Sequence, residues 1–327
     1  MLRRLIFLCT LLLFAPALFG DNLQLMKTLT VPPEATVDSA ALSPKGDFVA
    51  AACRDGRVRL WSFPSGEPRQ TFDLKGQRIS GVWFSSDGTL LAAGGDAVRI
   101  WDIPSGNLKH EFNVGARVRT LAISPDRSLL AVAPAEAPAQ LWDLTIGKFI
   151  AALPPRFAGP ATVTFSPDGL WLASADEDTV IRIYDSHTGK LRAANDDFPL
   201  ETFAIAFSAD SKYLYAGGAD KTISVVDVLS GKVVRTFPKQ SFAVGSLQVS
   251  RDGKSLMAAY FDEKGFSNPA PVLVWDGASQ SVRTTVLGGG HRRLQPGFAP
   301  NGGGFLPDGT LLLTSSSEGK LQVWSVR

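Results

Sequence analysis

The chain has 327 residues, 45% hydrophobic and 20% charged, with 31 Gly, 21 Pro and two Cys, proportions that exclude a disordered chain and a disulfide scaffold. Its formal charge of +2 is carried by Arg3 and Arg4, since the rest of the chain has 31 basic and 31 acidic residues. A neutral body lacks the basic field that sequence-independent nucleic-acid binding needs, and length alone leaves one or two domains open.

The first element is an address. Met1 to Arg4 is positively charged, Leu5 to Phe14 is an unbroken apolar run, and Ala15-Pro16-Ala17 and Gly20 offer small residues for cleavage, the pattern of a secretory signal peptide over residues 1–20. Ten residues of helix span about 15 Å, half the hydrocarbon core, so a membrane anchor fits less well. Cleavage after Ala17 or Gly20 would give an extracytoplasmic protein, periplasmic or secreted, with no membrane attachment. Cys9 leaves with the leader, so Cys53, at the end of the apolar run Phe48 to Ala52, can form no internal disulfide and is expected to be a buried, inert thiol.

From there the chain repeats. Ser43-Pro44-Lys45-Gly46 is followed by six relatives beginning at Ser85, Ser124, Ser166, Ser208, Ser250 and Leu306, at spacings of 42, 39, 42, 42, 42 and 56 residues. Pro presets φ, Asp bonds its own backbone and Gly accepts positive φ, so each is a tight hairpin turn. A bulky marker follows each turn, at Trp61, Trp101, Trp142, Tyr184, Val226, Trp275 and Trp324, inside alternating strands such as Val58-Arg59-Leu60-Trp61. The offset is 18 in five copies, 16 in the second and 25 in the sixth. Asp follows five markers (Asp102, Asp143, Asp185, Asp227 and Asp276), and Ser-Gly or Thr-Gly pairs close several strands. The unit is four strands joined by turns, with no helical period between them.

These residues resemble the tryptophan-aspartate (WD) repeat family, of the kind found in exported bacterial members. The resemblance covers nearly all of residues 22–327 and implies an all-β fold: a single seven-bladed β-propeller over residues 21–327, built of four-stranded antiparallel blades. The chain stops three residues past Trp324, leaving the seventh blade without an outer strand, and residues 22–31 have the missing pattern. The amino-terminal strand is therefore expected to pair in the last blade and close the ring.

The sequence departs from the family in its histidines. The Gly-His pair that often opens a WD repeat occurs only as Gly290-His291; His110 and His187 fall in an outer strand and a turn. An acid six residues before the marker is kept as Asp55, Glu136, Asp178, Asp220 and Glu318, with Asp96 five before. The hairpin chemistry therefore survives without its histidine partner.

No chemistry beyond the scaffold is legible. Three His and one mature Cys cannot form the usual metal spacings, and no nucleophile elbow, P-loop or dinucleotide fingerprint is present. The expectation is a non-catalytic, monomeric protein-protein interaction scaffold with no metal, no cofactor and no nucleic-acid partner. The binding face follows from two insertions, in the sixth blade's middle hairpin (Phe261 to Pro271) and in the linker from blade six to seven (Gly288 to Gly304). Both open on one face in the resembled fold and would bring together Phe261, Lys264, Phe266, His291, Arg292 and Arg293, aromatics and forked donors suited to an interface. On that face Asp176, Glu177, Asp178, Asp196, Asp197 and Glu201 form an acidic sector, open as a hard-cation site, opposite Arg54, Arg78, Arg117, Arg292 and Arg293. The alternative is an extracytoplasmic enzyme or ligand-binding propeller, lactonase-like or quinoprotein-like, with its site at the channel mouth. The inner-strand starts Ser39, Ile79, Val118 and Gly245 offer little for such a site.

Overall fold

The computed structural model describes residues 23–32, 35–75, 77–154, 160–176, 178–250, 252–261, 271–277, 279–287, 311–315 and 320–326. Every regular element among them is a strand. After β1 (Leu23–Thr30), the first four-stranded sheet is β2 (Val37–Leu42), β3 (Phe48–Cys53), β4 (Arg57–Ser62) and β5 (Pro68–Asp73). The second is β6 (Ile79–Phe84), β7 (Leu90–Gly95), β8 (Val98–Asp102) and β9 (Leu108–Phe112), and the third β10 (Val118–Ile123), β11 (Leu129–Pro134), β12 (Gln140–Asp143) and β13 (Lys148–Ala152). The fourth comprises β14 (Pro160–Phe165), β15 (Trp171–Asp176), β16 (Ile181–Asp185) and β17 (Leu191–Asn195); the fifth β18 (Thr202–Phe207), β19 (Tyr213–Gly218), β20 (Ile223–Asp227) and β21 (Val233–Thr236). The sixth is β22 (Ala243–Val249), β23 (Ser255–Phe261), β24 (Pro271–Asp276) and β25 (Val282–Leu287), after which β26 (Leu311–Ser315) and β27 (Lys320–Val326) join β1 in a three-stranded sheet.

The turns between first and second strands explain the repeat. Ser43 Oγ accepts the N–H groups of Asp47 and Phe48, both at 2.9 Å, and the Gly46 N–H donates to the Ser43 carbonyl. Where Asp is present the serine also donates to it: Ser85 to Asp87 (2.6 Å), Ser208 to Asp210 (2.6 Å) and Ser250 to Asp252 (2.7 Å). The fourth position of every described turn has positive φ, 72° at Gly46 and 75° at Gly88, and even Arg127 (65°) and Ser211 (61°) adopt it where glycine is missing. Where Asp follows the marker it closes the next turn, accepting the backbone N–H of Ser105, Thr145, Thr188, Ser230 or Ser279 at 2.7–3.0 Å.

The first strands of successive sheets pack side by side and line one cavity, which identifies the array as a β-propeller with those strands innermost. Apolar side chains fill each described seam between sheets. Val58, Leu60, Phe72, Val82, Leu91 and Trp101 join the first and second sheets, and Ile183, Ile205, Leu214 and Val226 the fourth and fifth. Each described inner strand carries a one-residue bulge near its start, as between Val37 and Ser39, Ile79 and Gly81, and Val118 and Thr120.

β1 pairs antiparallel with β27, Thr28 opposite Gln322 and Leu29 opposite Leu321, the pairing expected of the amino-terminal strand. Leu29 is buried with Val49, Trp61, Leu321 and Val323, so the last sheet also packs on the first. The seam between the sixth sheet and β26 lies outside the described residues, as does the leader, residues 1–20.

Candidate functional site

The propeller has two channel mouths. One face bears the linkers and second-to-third-strand hairpins; the other bears the Ser-Asp turns.

Of the residues singled out from the sequence for the linker face, Lys264, Phe266, His291, Arg292, Arg293 and Glu177 lie outside the described ones. Phe261 is the last residue of β23, its backbone opposite Ala243, and its side chain is likewise outside the description. What is described changes the expected charge pattern. Arg54 donates to Asp38 at 2.8 Å, so that cation is paired, and the Arg117 Nε donates to Ser80 Oγ at 3.1 Å. Arg182 holds Asp178 at 2.6 Å and its other arm donates to Asp176. Two members of the acidic sector, Asp176 and Asp178, are therefore paired with one arginine. Among the described residues no group of three His, Cys, Asp or Glu is placed to hold a metal ion.

Arg182 serves two carboxylates, and the two respond oppositely. Asp176 is buried, and burial pushes its carboxyl up to about 6 against the pull of Arg182. Asp178 sits lower than an ordinary carboxyl because Arg182 donates to it. The first blade has the same device: Arg59 grips Asp55 with both arms, Nη2 to Oδ2 at 2.6 Å and Nη1 to Oδ1 at 3.1 Å. An arginine two residues before the marker thus supplies the partner that the missing histidine would have been. Cys53, beside Arg59, is buried and its thiol is pushed up to about 11 by burial, so it is protonated at neutral pH.

At the inner-strand starts Ser39, Ile79 and Val118 are buried and Gly245 is half-buried. Asp38, the carboxylate nearest to them in sequence, is engaged by Arg54.

The turn face holds the larger described feature, a cavity of about 700 Å³ walled by the inner strands of six sheets. Its collar is Leu42, Phe84, Ile123, Phe165, Phe207 and Val249, each the last residue of its inner strand. All six immediately precede the serine or equivalent that starts a turn, so the repeat itself carried the signal: one apolar residue at the same register in six copies. Pro44, Lys45, Ser86, Asp87, Pro125 and Pro167 form part of the rim.

A model of the WD domain, G-beta repeat, matches residues 23–62, 66–102, 158–185 and 201–227. The first match begins in β1 and ends in β4, so the sequence repeat is offset by one strand from the structural sheet, which is how the strand before blade one comes to lie in the last sheet. No curated protein matches the chain.

Proposed function

From the premise that this chain is a WD-repeat protein, we propose that it is an exported, non-catalytic binding platform, a seven-bladed propeller that presents its linker face to a protein partner. WD-repeat propellers commonly mediate protein-protein interaction and are typically non-catalytic. The observation that carries the reading is that the matched repeats fold into sheets of one propeller around a channel, a rigid frame whose loops are free to vary. The insertions of the sixth blade and the following linker break the regular spacing, and His291, Arg292 and Arg293, with Phe261, Lys264 and Phe266, are the residues proposed to meet the partner.

The test is affinity capture from the periplasm or culture medium with the wild-type chain and with Arg292→Glu/Arg293→Glu. The double reversal should abolish capture of the recovered partner; undiminished capture would place the interface elsewhere. Export is tested separately by cell fractionation and amino-terminal sequencing, with a mature start after Ala17 or Gly20 expected.

A further inference from the structure

Each sheet ends outward in an edge strand, and one of these edges lacks a protection that the others share. Every described outermost strand carries a one-residue bulge beside the marker, and the bulged residue is Arg69, Lys109, Arg192 or Arg283 in four of the blades. In β21 and β1 the bulged residues are Val234 and Met26, each with a cation directly after it, Arg235 and Lys27. An unpaired edge is a template for another strand, and a charge in mid-strand deters one because the added strand would have to desolvate it. Arg192, which leans over the Trp171 ring at 5.9 Å, and Arg283, which donates to Ser255 Oγ, still keep their charge at the edge.

The third blade has no such charge. Its outer strand β13 carries Ile150 at the bulge and Ala151 after it, and the chain is uncharged from Phe149 to Leu153. The surface there is apolar, with Ile146 64% exposed, Phe149 50% and Ile150 38%. Phe149 meets Trp142 edge-on, their ring centroids 5.3 Å apart, and Trp142 is half-buried where Trp61, Trp101 and Trp275 are buried. β13 is also the last strand of its sheet, so its outward backbone groups have no partner strand.

The order of residues along β13 selects the partner. Lys148-Phe149-Ile150-Ala151-Ala152 runs from bulky to small. Set antiparallel beside its own copy, about a twofold axis between residues 150 and 151, each bulky side chain meets a small one: Phe149 faces Ala152 and Ile150 faces Ala151. The two Lys148 residues then lie about 17 Å apart at the rise of a strand, beyond the Debye length of about 8 Å at physiological salt. A foreign strand of opposite charge would have only Lys148 to address.

We propose that β13 is a self-association edge, at which two copies of this chain pair strand to strand in place of the monomer expected from the sequence. The dimer joins two third blades into one continuous sheet. Antiparallel pairing turns one copy over, so the two linker faces point in opposite directions. A contact of one short strand a side is far below the roughly 1,200 Å² of a stable interface, so the dimer forms only at high concentration, with a dissociation constant on the order of 0.1 mM.

The experiment is sedimentation velocity on the purified chain from about 1 µM to about 1 mM. A concentration-dependent rise from monomer to dimer is expected. Ile150→Arg installs the cation that four other blades carry at this register and should weaken association about tenfold or more, with a thermal melt reporting that the variant is folded. Ile150→Lys, matching Lys109, is a second variant of the same kind. Val234→Arg makes the equivalent change on β21 and should leave association unchanged. A wild-type chain that stays monomeric throughout overturns the proposal, whether or not it captures another protein. Undiminished association in a folded Ile150 variant, or equal weakening by Val234→Arg, overturns the assignment to β13, and species larger than a dimer overturn the twofold pairing.

Discussion

Arg59 and Asp55 are joined by a two-armed hydrogen-bonded ion pair across the turn between the second and third strands of the first blade. The Arg59 side chain is 12% exposed, so this is a largely desolvated contact whose planar fork matters. Lysine can offer one point charge but not two parallel donors. Arg59→Lys is therefore expected to lower stability by about 1 kcal/mol, read as a fall in the urea midpoint at unchanged slope. An unchanged midpoint would show that the fork adds nothing over a single charge.

The related site in the fourth blade gives a pH dependence. Asp176 has a folded-state value of about 6, above the ordinary carboxyl value, so between about pH 4 and pH 6 the folded chain holds a proton that the unfolded chain has released. Its contribution to stability is fully present in acid and is lost as pH rises through 6. Asp55, Asp178 and Asp210 are shifted the other way and lose their contributions only as pH falls below about 4. Stability should thus increase as pH falls from about 6 to about 4 and decline below that, and Asp176→Asn should flatten the limb between about pH 4 and pH 6, seen in denaturant midpoints across that range.

Two glycines end second strands where a linker carbonyl crosses them. A Cβ at Gly95 would strike the carbonyl of Arg78, and one at Gly218 that of Glu201. Backbone cannot swing aside as a side chain can, so Gly95→Ala and Gly218→Ala should each cost about 2 kcal/mol or more. Gly115→Ala is a control: its Cβ would meet nothing within 4 Å, although its φ of 77° disfavours any side chain. A loss at Gly115 reports its positive φ alone, whereas Gly95 and Gly218 have no positive φ, so an unchanged denaturant midpoint in Gly95→Ala or Gly218→Ala would show that the linker carbonyl yields to the added methyl.

Leu29 fastens β1 to both the last and the first sheet, being 3% exposed among Val49, Trp61, Leu321 and Val323. Leu29→Ala should cost about 3 kcal/mol through the cavity it leaves, and deletion of residues 23–30, which exposes the edge of β27, should lower the melting temperature sharply. A deletion variant that melts like the full chain would show that the pairing of β1 with β27 does not hold the propeller together.

Much of the architecture was legible because its determinants are local. Ser85, Asp87 and Gly88 make a turn from bonds within five residues, and the same is true wherever the motif recurs, so the repeat placed every described hairpin. Asp143 after Trp142 closes its turn by bonds to Thr145 and Ile146, again from neighbours in sequence. The pairing of β1 with β27 followed by subtraction, since one repeat was short by a strand.

The turn-face cavity was harder to read. Phe84 and Phe207 look like ordinary core residues in an alternating strand, and only the packing of six inner strands around one axis turns their register into a collar. The linker-face residues Lys264, Phe266, His291, Arg292 and Arg293 remain a reading of sequence spacing.

The charge balance of the chain belongs partly to its composition and partly to its fold. From the sequence alone, a neutral body followed once Arg3 and Arg4 were set aside, along with the repeat, its turns and the strand order, because these depend on composition and short-range geometry. Which charges cancel was decided by tertiary structure. Arg182 reaches Asp176 and Asp178, and Arg54 reaches Asp38, across hairpins that the chain must first fold. The inner-strand bulges were decided there too, because one added residue shifts which side chains face the channel while leaving the apolar pattern almost unchanged.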